Sequence, residues 1–184
     1  MQVEAAAIPA VKIITPKKFG DHRGFFSEVY SRKIWVEAGL DHDFVQDNHS
    51  YSAEAGVIRG LHFQVPPFAQ TKLVRVARGR ILDVAVDLRR GSPSFGRHVA
   101  VELSAANWRQ LLVPAGFAHG FCTLEPHCEV LYKVTQVFSP AHDKGLAFDD
   151  PELGIDWGVE VARAVLSDRD RKHPRLAELG APFD

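Results

Sequence analysis

The sequence has few cysteines, no excess of basic residues and no long apolar run. It contains 2 cysteines, Cys122 and Cys128, among 184 residues, so a disulfide framework is not what stabilises it. Lys and Arg number 22 against 23 Asp and Glu, which gives a formal net charge of -1. Nucleic-acid-binding domains usually carry a clear basic excess, so we expect no nucleic-acid partner.

Membrane and export signals are missing as well. No run approaches the roughly 18 apolar residues that a membrane helix needs. The first residues, MQVEAAAIPAVKII, include an early Glu and lack the basic start and apolar centre of a signal peptide. We therefore expect a cytoplasmic protein with reduced thiols and no membrane partner.

The composition that remains is that of a soluble globular protein. Hydrophobic residues make up 46% and charged residues 24% of the chain, both ordinary values. A chain of 184 residues is long enough to bury one proper core. We expect residues 1–184 to form a single domain.

Short apolar segments separated by Gly and Pro turns predict an all-β sandwich or barrel. Residues 73–88 predict two strands that meet in a tight turn at Arg78 and Gly79. In the second strand apolar residues alternate with Asp83 and Asp87, the pattern of an antiparallel strand with one buried face. The other predicted strands cover residues 11–14, 25–30, 44–51, 98–103, 110–113, 119–123 and 130–138.

Helices are expected to be few and short. Ser31 predicts the N-cap of one helix that ends at Gly39. Ser167 predicts the start of a small helical segment that reaches Leu179. We expect the C-terminal part of the chain to pack across the outside of the sheets.

The segment from Gly56 to Lys72, GVIRGLHFQVPPFAQTK, sets one histidine between two cations. Arg59 precedes His62 by three residues and Lys72 ends the segment, which is predicted to be an exposed strand end. Cationic side chains are seldom buried without a partner. The segment therefore predicts an anionic ligand, with His62 placed to move a proton. The plainer alternative is a hydrogen-bonded strand histidine without a chemical role.

A second histidine, His119, follows a Pro-Gly corner in PAGFAH and is expected to enter the same cavity. Two histidines in one cavity suggest a metal site of the cupin kind. Gln64, however, stands where such a site would carry its second His, and the ammonium of Lys72 would repel a cation. We therefore expect no metal and no cofactor.

Tyr132 and Asp170 each have an ordinary explanation, as a packing residue and as a solvated surface residue. A role for Tyr132 requires its strand to face the hairpin that carries His119. A role for Asp170 requires a hydrogen bond to His62, which would orient the imidazole and raise its basicity.

Collinear motifs along nearly the whole chain resemble the dTDP-4-dehydrorhamnose 3,5-epimerase family. They are DHRGFFSE, FVQDNHSYS, GVIRGLHFQ, KLVRVARGRILDVAVDLR, SPSFG, QLLVPAGFAHGF, LYK, DDPELGIDW and LSDRD. The resemblance implies an all-β, cupin-like jelly roll with a few short peripheral helices. It also implies a homodimer that works without a metal or other cofactor on a dTDP-sugar substrate.

The resemblance also implies roles for individual residues. His62 would be the general base with Asp170 as its dyad partner, Lys72 would stabilise an enolate oxygen, and Tyr132 would be the acid on the opposite face of the sugar. Residues at positions that line the nucleotide-sugar site in the family are Arg23, Phe26, Glu28, Gln46, Asn48, Arg59, His119, Phe138, Asp143 and Arg169.

Four positions depart from the common family pattern, at the nucleotide end or the periphery of the site. Phe138 stands in place of Tyr, Asp143 in place of Glu, Asp149 in place of Asn and Arg169 in place of Lys. These departures bear on the nucleotide preference and on the number of carbons that are inverted.

The implied function is that of an isomerase in dTDP-L-rhamnose biosynthesis. It would epimerise dTDP-4-keto-6-deoxy-D-glucose at C3 and C5 to dTDP-4-keto-L-rhamnose. The alternatives are an epimerase acting at C3 only or C5 only, a non-catalytic sugar-binding jelly roll, and a metal-dependent cupin oxygenase.

Overall fold

Residues 1–183, which the computed structural model describes, form thirteen β-strands, one short α-helix and three 3-10 turns. The helix α1 spans Arg32–Glu37, and the 3-10 turns span Val161–Arg163, Asp170–Lys172 and Leu176–Glu178. The strands are β1 Gln2–Ala5, β2 Lys12–Thr15, β3 Phe19–Asp21, β4 Gly24–Phe26, β5 Gln46–Ser52, β6 Ile58–Gln64, β7 Lys72–Arg78, β8 Arg80–Asp87, β9 His98–Ser104, β10 Gln110–Val113, β11 Phe117–Thr123, β12 Cys128–Val134 and β13 Asp143–Gly145.

Two antiparallel sheets carry the architecture. A six-stranded sheet has the order β1-β2-β10-β7-β12-β5, and a five-stranded sheet has the order β13-β6-β11-β8-β9. The strands β3 and β4 form a separate small hairpin. This arrangement, with few and short helical segments, confirms the predicted all-β jelly roll. Within residues 1–183 no helix is long and apolar enough to cross a membrane.

Apolar side chains fill both sides of the five-stranded sheet. Between the sheets, Ile81 and Ala85 of β8 join a buried cluster with residues of the six-stranded sheet. On the outer side, Val84 and Val86 of β8 pack with the buried Trp157 of the C-terminal segment. The predicted packing of the C-terminal part across the outside of the sheets is confirmed.

The prediction that β8 has one buried face is wrong. Asp83 and Asp87 are both 0% exposed, because they share the face of Ile81 and Ala85 between the sheets. The C-terminal segment covers the opposite face, so both sides of the strand are out of water. The sequence pattern alone does not reveal that a distant segment closes the second face.

The turn at Gly79 does not join a hairpin. Gly79 has φ of 80°, but β7 and β8 lie in different sheets, so this turn carries the chain from one sheet to the other. Several predicted boundaries also shift. The strand predicted at 25–30 ends at Phe26 and the strand predicted at 130–138 ends at Val134.

The short helical segments differ from the prediction in their details. Ser31 precedes α1 but makes no side-chain cap hydrogen bond. The next segment has Arg169, not Ser167, as its N-cap residue and no side-chain cap hydrogen bond, although Ser167 Oγ accepts the Asp170 N–H at 3.1 Å. That segment is two separate 3-10 turns, with Pro174 between them.

Strands β6 and β11 approach closely at two glycines. A Cβ on Gly120 would lie 2.7 Å from the Arg59 carbonyl oxygen and 3.1 Å from the Gly60 Cα. Because Gly60 and Gly120 have no side chains, the two strands can pair so that His119 lies opposite His62. The packing of two glycines thus sets the distance between two histidines.

We expect Gly120→Ala to lower the free energy of unfolding by about 1–3 kcal/mol, because the added methyl overpacks this contact. Gly91→Ala is the matched control, since a Cβ at Gly91 would meet no atom within 4 Å. Thermal and denaturant unfolding measure the difference. Equal stability of the two variants would contradict the proposed constraint.

Candidate active site

Two adjacent cavities of about 510 and 360 Å³ form a cleft between the two sheets. Four residues line both cavities: His62, Lys72, Tyr132 and Arg169. His62 comes from β6 in the five-stranded sheet, whereas Lys72 and Tyr132 come from β7 and β12 in the six-stranded sheet. The centre of the cleft therefore receives ionisable side chains from both of its walls.

His62 and Asp170 make the contact that a role for Asp170 requires. His62 Nε2 lies 2.8 Å from Asp170 Oδ1, and the Gly60 N–H donates to Asp170 Oδ2 at 3.3 Å. Burial acts to raise the pKa of Asp170, but these hydrogen bonds and the charge of His62 hold that pKa below its usual value. Asp170 is therefore a carboxylate that accepts a hydrogen bond from the imidazole.

Lys72 is a buried lysine beside this pair. It is 8% exposed, and its Nζ donates to the His62 carbonyl oxygen at 3.3 Å. Burial lowers the pKa of Lys72 to about 8, against the opposing effect of the Asp143 and Asp83 carboxylates. At neutral pH the side chain is a cation aimed into the cleft.

Tyr132 lines the same cavity as His119. A role for Tyr132 requires this arrangement, in which its strand faces the hairpin that carries His119. Burial is the main cause that raises the pKa of Tyr132, with a further contribution from Asp143. The phenol therefore keeps its proton at neutral pH and is able to act as an acid.

His119 forms a second imidazole–carboxylate pair with Asp83. The His119 Nε2 lies 2.8 Å from Asp83 Oδ1, and the two residues are 6% and 0% exposed. Asp83 Oδ2 has no hydrogen-bond partner among residues 1–183. Asp83 was not among the predicted site residues, although an acidic residue within an apolar strand was a signal.

The smaller cavity contains five of the predicted nucleotide-sugar residues, namely Gln46, Asn48, Phe138, Asp143 and Arg169. Gln46 donates to Asn48 Oδ1 at 2.7 Å and accepts the Phe138 N–H at 3.1 Å. Arg169 Nη2 lies 2.6 Å from Asp143 Oδ2. Two departures from the family pattern thus form one ion pair, whereas Asp149 is exposed and lines neither cavity of the described chain.

Arg59 lines the larger cavity. Its guanidinium donates to the Tyr51 carbonyl oxygen at 2.9 Å and to Ser52 Oγ at 3.2 Å. These bonds hold an exposed cation at the mouth of the cleft, in a position suited to an anionic group.

Three predicted residues lie elsewhere, on or just after the β3–β4 hairpin. Arg23, Phe26 and Glu28 line neither cavity formed by residues 1–183. Arg23 pairs with Asp21 at 2.6 Å, Phe26 is 65% exposed and Glu28 is exposed. A single chain does not bring these residues to His62.

Gln64 occupies the position at which a metal-binding cupin would carry a second His. Its amide donates to the carbonyl oxygens of Phe68 and Val137 at 2.7 and 3.1 Å and accepts the Ser139 N–H at 2.7 Å. The side chain ties two loops together and is not free to ligate an ion beside His62. The donors at this position therefore do not fit a resident cupin metal.

Comparisons with known proteins show the family to which the chain is similar. Residues 5–178 match the family model described as dTDP-4-dehydrorhamnose 3,5-epimerase. A curated protein of that name from Sinorhizobium fredii is 51% identical over 100% of this chain and 93% of its own length.

Two solved structures are similar over almost the whole chain. The Bacillus anthracis dTDP-4-dehydrorhamnose 3,5-epimerase, with TDP and PPi bound, is 53% identical with a TM-score of 0.91, over 95% of this chain and 98% of its own. The Legionella pneumophila dTDP-6-deoxy-D-glucose-3,5-epimerase, in complex with dTDP-4-keto-L-rhamnose, is 41% identical with a TM-score of 0.94, over 100% and 98%. The fold, the cleft and these similarities together show that the chain belongs to the dTDP-4-dehydrorhamnose 3,5-epimerase family.

Proposed function

We propose that the protein epimerises dTDP-4-keto-6-deoxy-D-glucose at C3 and C5 to dTDP-4-keto-L-rhamnose, as a step of dTDP-L-rhamnose biosynthesis. The observation that carries this proposal is the placement of a base and an acid on opposite walls of one cleft. His62 stands on the five-stranded sheet, and Tyr132 stands on the six-stranded sheet. Inversion of a carbon needs a proton removed from one face and returned to the other.

The chemistry follows from these residue types. The C4 ketone acidifies the hydrogens on C3 and C5. Because Nε2 of His62 is bonded to Asp170, Nδ1 is the nitrogen left to take a proton from carbon. Lys72 then stabilises the negative charge that develops on the ketone oxygen, and Tyr132 returns a proton on the opposite face.

The rest of the cleft is suited to hold the nucleotide. Arg59 offers a guanidinium for the diphosphate, since planar donors match phosphate oxygens. Gln46, Asn48, Phe138 and the Asp143–Arg169 pair line the smaller cavity, where we place the nucleotide end. Nothing in this mechanism uses a metal or another cofactor.

We further propose that the active form is a homodimer in which the β3–β4 hairpin completes the partner's site. Phe19, Phe25 and Phe26 are 51%, 55% and 65% exposed on this hairpin, an apolar surface of the kind that marks an interface. The family resemblance puts Arg23, Phe26 and Glu28 at the nucleotide-sugar site. These residues are exposed on their own chain because, in the proposed dimer, they contribute to the site of the partner chain.

Single-carbon epimerisation and sugar binding without catalysis are the alternatives. Phe138 lacks the hydroxyl of the common Tyr, and Asp143 is one methylene shorter than the common Glu. Both residues line the smaller cavity and take no part in the His62–Asp170 contact. Their position favours activity at both carbons. The buried, free thiols of Cys122 and Cys128 are compatible with the proposed cytoplasmic location.

The first test is turnover of dTDP-4-keto-6-deoxy-D-glucose in deuterated water. We expect deuterium at both C3 and C5 by mass spectrometry and NMR, because each inversion exchanges a carbon-bound proton. Label at one carbon would place the chain with single-carbon epimerases. Intact binding without label would support the non-catalytic alternative.

In the same assay Tyr132→Phe should incorporate label without net inversion, since only the opposing donor is lost. The control Tyr51→Phe, at an exposed position, should behave as wild type.

The lowered pKa of Lys72 predicts that kcat/KM falls as the pH rises. Its pKa of about 8 means that the cation that stabilises the enolate is lost as the pH passes through that value. A pH–rate profile of the free enzyme measures this limb. Lys72→Arg should be slower but should keep its charge and show no such fall. A flat wild-type profile from neutral to alkaline pH would contradict the assignment.

The shared site predicts complementation between two inactive variants. His62→Ala lacks the base, and Arg23→Glu disrupts the hairpin. In a mixed dimer one site would combine the intact His62 of one chain with the intact Arg23 of the other. Co-expression at equal amounts should restore about a quarter of wild-type sites, from random pairing of a symmetric dimer. Activity no higher than the sum of the two parents would contradict the shared site.

A further inference from the structure

A histidine absent from the sequence-based site lies behind the Asp170 carboxylate. His173 follows the 3-10 turn Asp170–Lys172, and its side chain is 9% exposed. Its ring stands edge-on to the His62 ring, with centroids 5.6 Å apart. Gly145 makes room for it, because a Cβ at that position would overlap the imidazole.

The Nε2 atom of His173 is buried and has no hydrogen-bond partner among residues 1–183. It lies 3.5 Å from Asp170 Oδ1, the same oxygen that is 2.8 Å from His62 Nε2. Buried polar atoms are almost always satisfied, and an exception asks for an explanation such as an ion. Two imidazole nitrogens and one carboxylate oxygen here lie within 4.8 Å of one another.

We propose that a divalent ion of the zinc type binds between His62, Asp170 and His173 and inhibits the enzyme. Two histidines and one carboxylate are a donor set that zinc uses with a further position open, at ligand distances of about 2.0–2.2 Å. Ligand atoms at such distances in a tetrahedron are about 3.3–3.6 Å apart. The separation of 3.5 Å between His173 Nε2 and Asp170 Oδ1 lies within this range, whereas the 2.8 Å between His62 Nε2 and Asp170 Oδ1 would have to widen to admit the ion.

The ion would act on the base through its tautomer, and this effect rests on the proposed function. Zinc takes the lone pair of His62 Nε2, so the single proton of the neutral imidazole moves to Nδ1. Nδ1 is the nitrogen that must accept the proton from C3 or C5. His173 likewise keeps its proton on Nδ1, and the number of bound protons does not change. A bound ion therefore blocks proton abstraction instead of assisting it.

The repulsion expected from the Lys72 ammonium is opposed by nearby carboxylates. Asp143 and Asp83 are the charged groups that act on the pKa of Lys72, and Asp170 supplies a carboxylate at the proposed site itself. Arg169 is paired with Asp143 at 2.6 Å, and the larger cavity reaches both His62 and Asp170, which provides a path of entry. This site differs from a resident cupin metal site, which would need a ligand at Gln64.

Calorimetric titration of the untagged full chain with zinc chloride tests the site without using activity. We expect one ion per chain for wild type. His173→Phe keeps a ring against Gly145 but offers no ligand atom. Its affinity for zinc should therefore fall by more than the roughly 10- to 100-fold loss that follows mutation of residues that only support metal ligands. The control His49→Asn removes a histidine that is 55% exposed on β5 and should bind as wild type. No binding to wild type, or equal binding to His173→Phe, would overturn the proposal.

Activity assays then test the link to the base. Zinc should inhibit wild type reversibly, with recovery on adding a chelator, whereas added zinc should leave the rate of His173→Phe, whatever its metal-free value, unchanged. Zinc binding without inhibition would overturn the proposed effect on His62. If the chain has no epimerase activity at all, the proposed function fails, and the calorimetry still decides the metal site. Should His173→Phe unfold at a lower temperature than wild type, His173→Asn replaces it in both measurements.

Discussion

The hydrogen bond between His62 and Asp170 is the contact on which the site depends. It joins β6 of the five-stranded sheet to a 3-10 turn far along the chain. A buried carboxylate is costly unless hydrogen bonds or charges satisfy it, and Asp170 is satisfied by the imidazole and by the Gly60 N–H. The C-terminal segment must therefore dock correctly before His62 is oriented, and burial of Trp157 on the outer face of the sheet contributes to that docking.

The same arrangement occurs a second time in the cleft. His119 and Asp83 repeat the imidazole–carboxylate contact at 2.8 Å, but both partners come from neighbouring strands, β11 and β8, of one sheet. This pair is more deeply buried than the first. Two oriented imidazoles therefore enter one cavity, one fixed by the sheet and the other by the C-terminal segment, and the close approach at Gly60 and Gly120 sets their spacing.

The positions that depart from the family pattern are physically linked. Arg169 and Asp143 form one ion pair at the wall of the smaller cavity, so a longer cation meets a shorter acid. Asp143 also acts on the pKa values of Lys72 and Tyr132. A change at the wall of the smaller cavity is thus coupled electrostatically to the centre of the cleft, although it does not touch the His62–Asp170 contact.

The sequence by itself determined the fold class, because alternating short segments and Gly-Pro turns are local features. Its collinear motifs also indicated the family and the residues of the cleft. Only the tertiary structure decided which of those residues meet. It brought Asp170 to His62, placed Asp83 and His173 beside the two imidazoles, and left Arg23, Phe26 and Glu28 outside the cleft of their own chain. The physical reason is that burial of the second face of β8 and contacts across the sheets depend on segments distant in sequence, which no local pattern encodes.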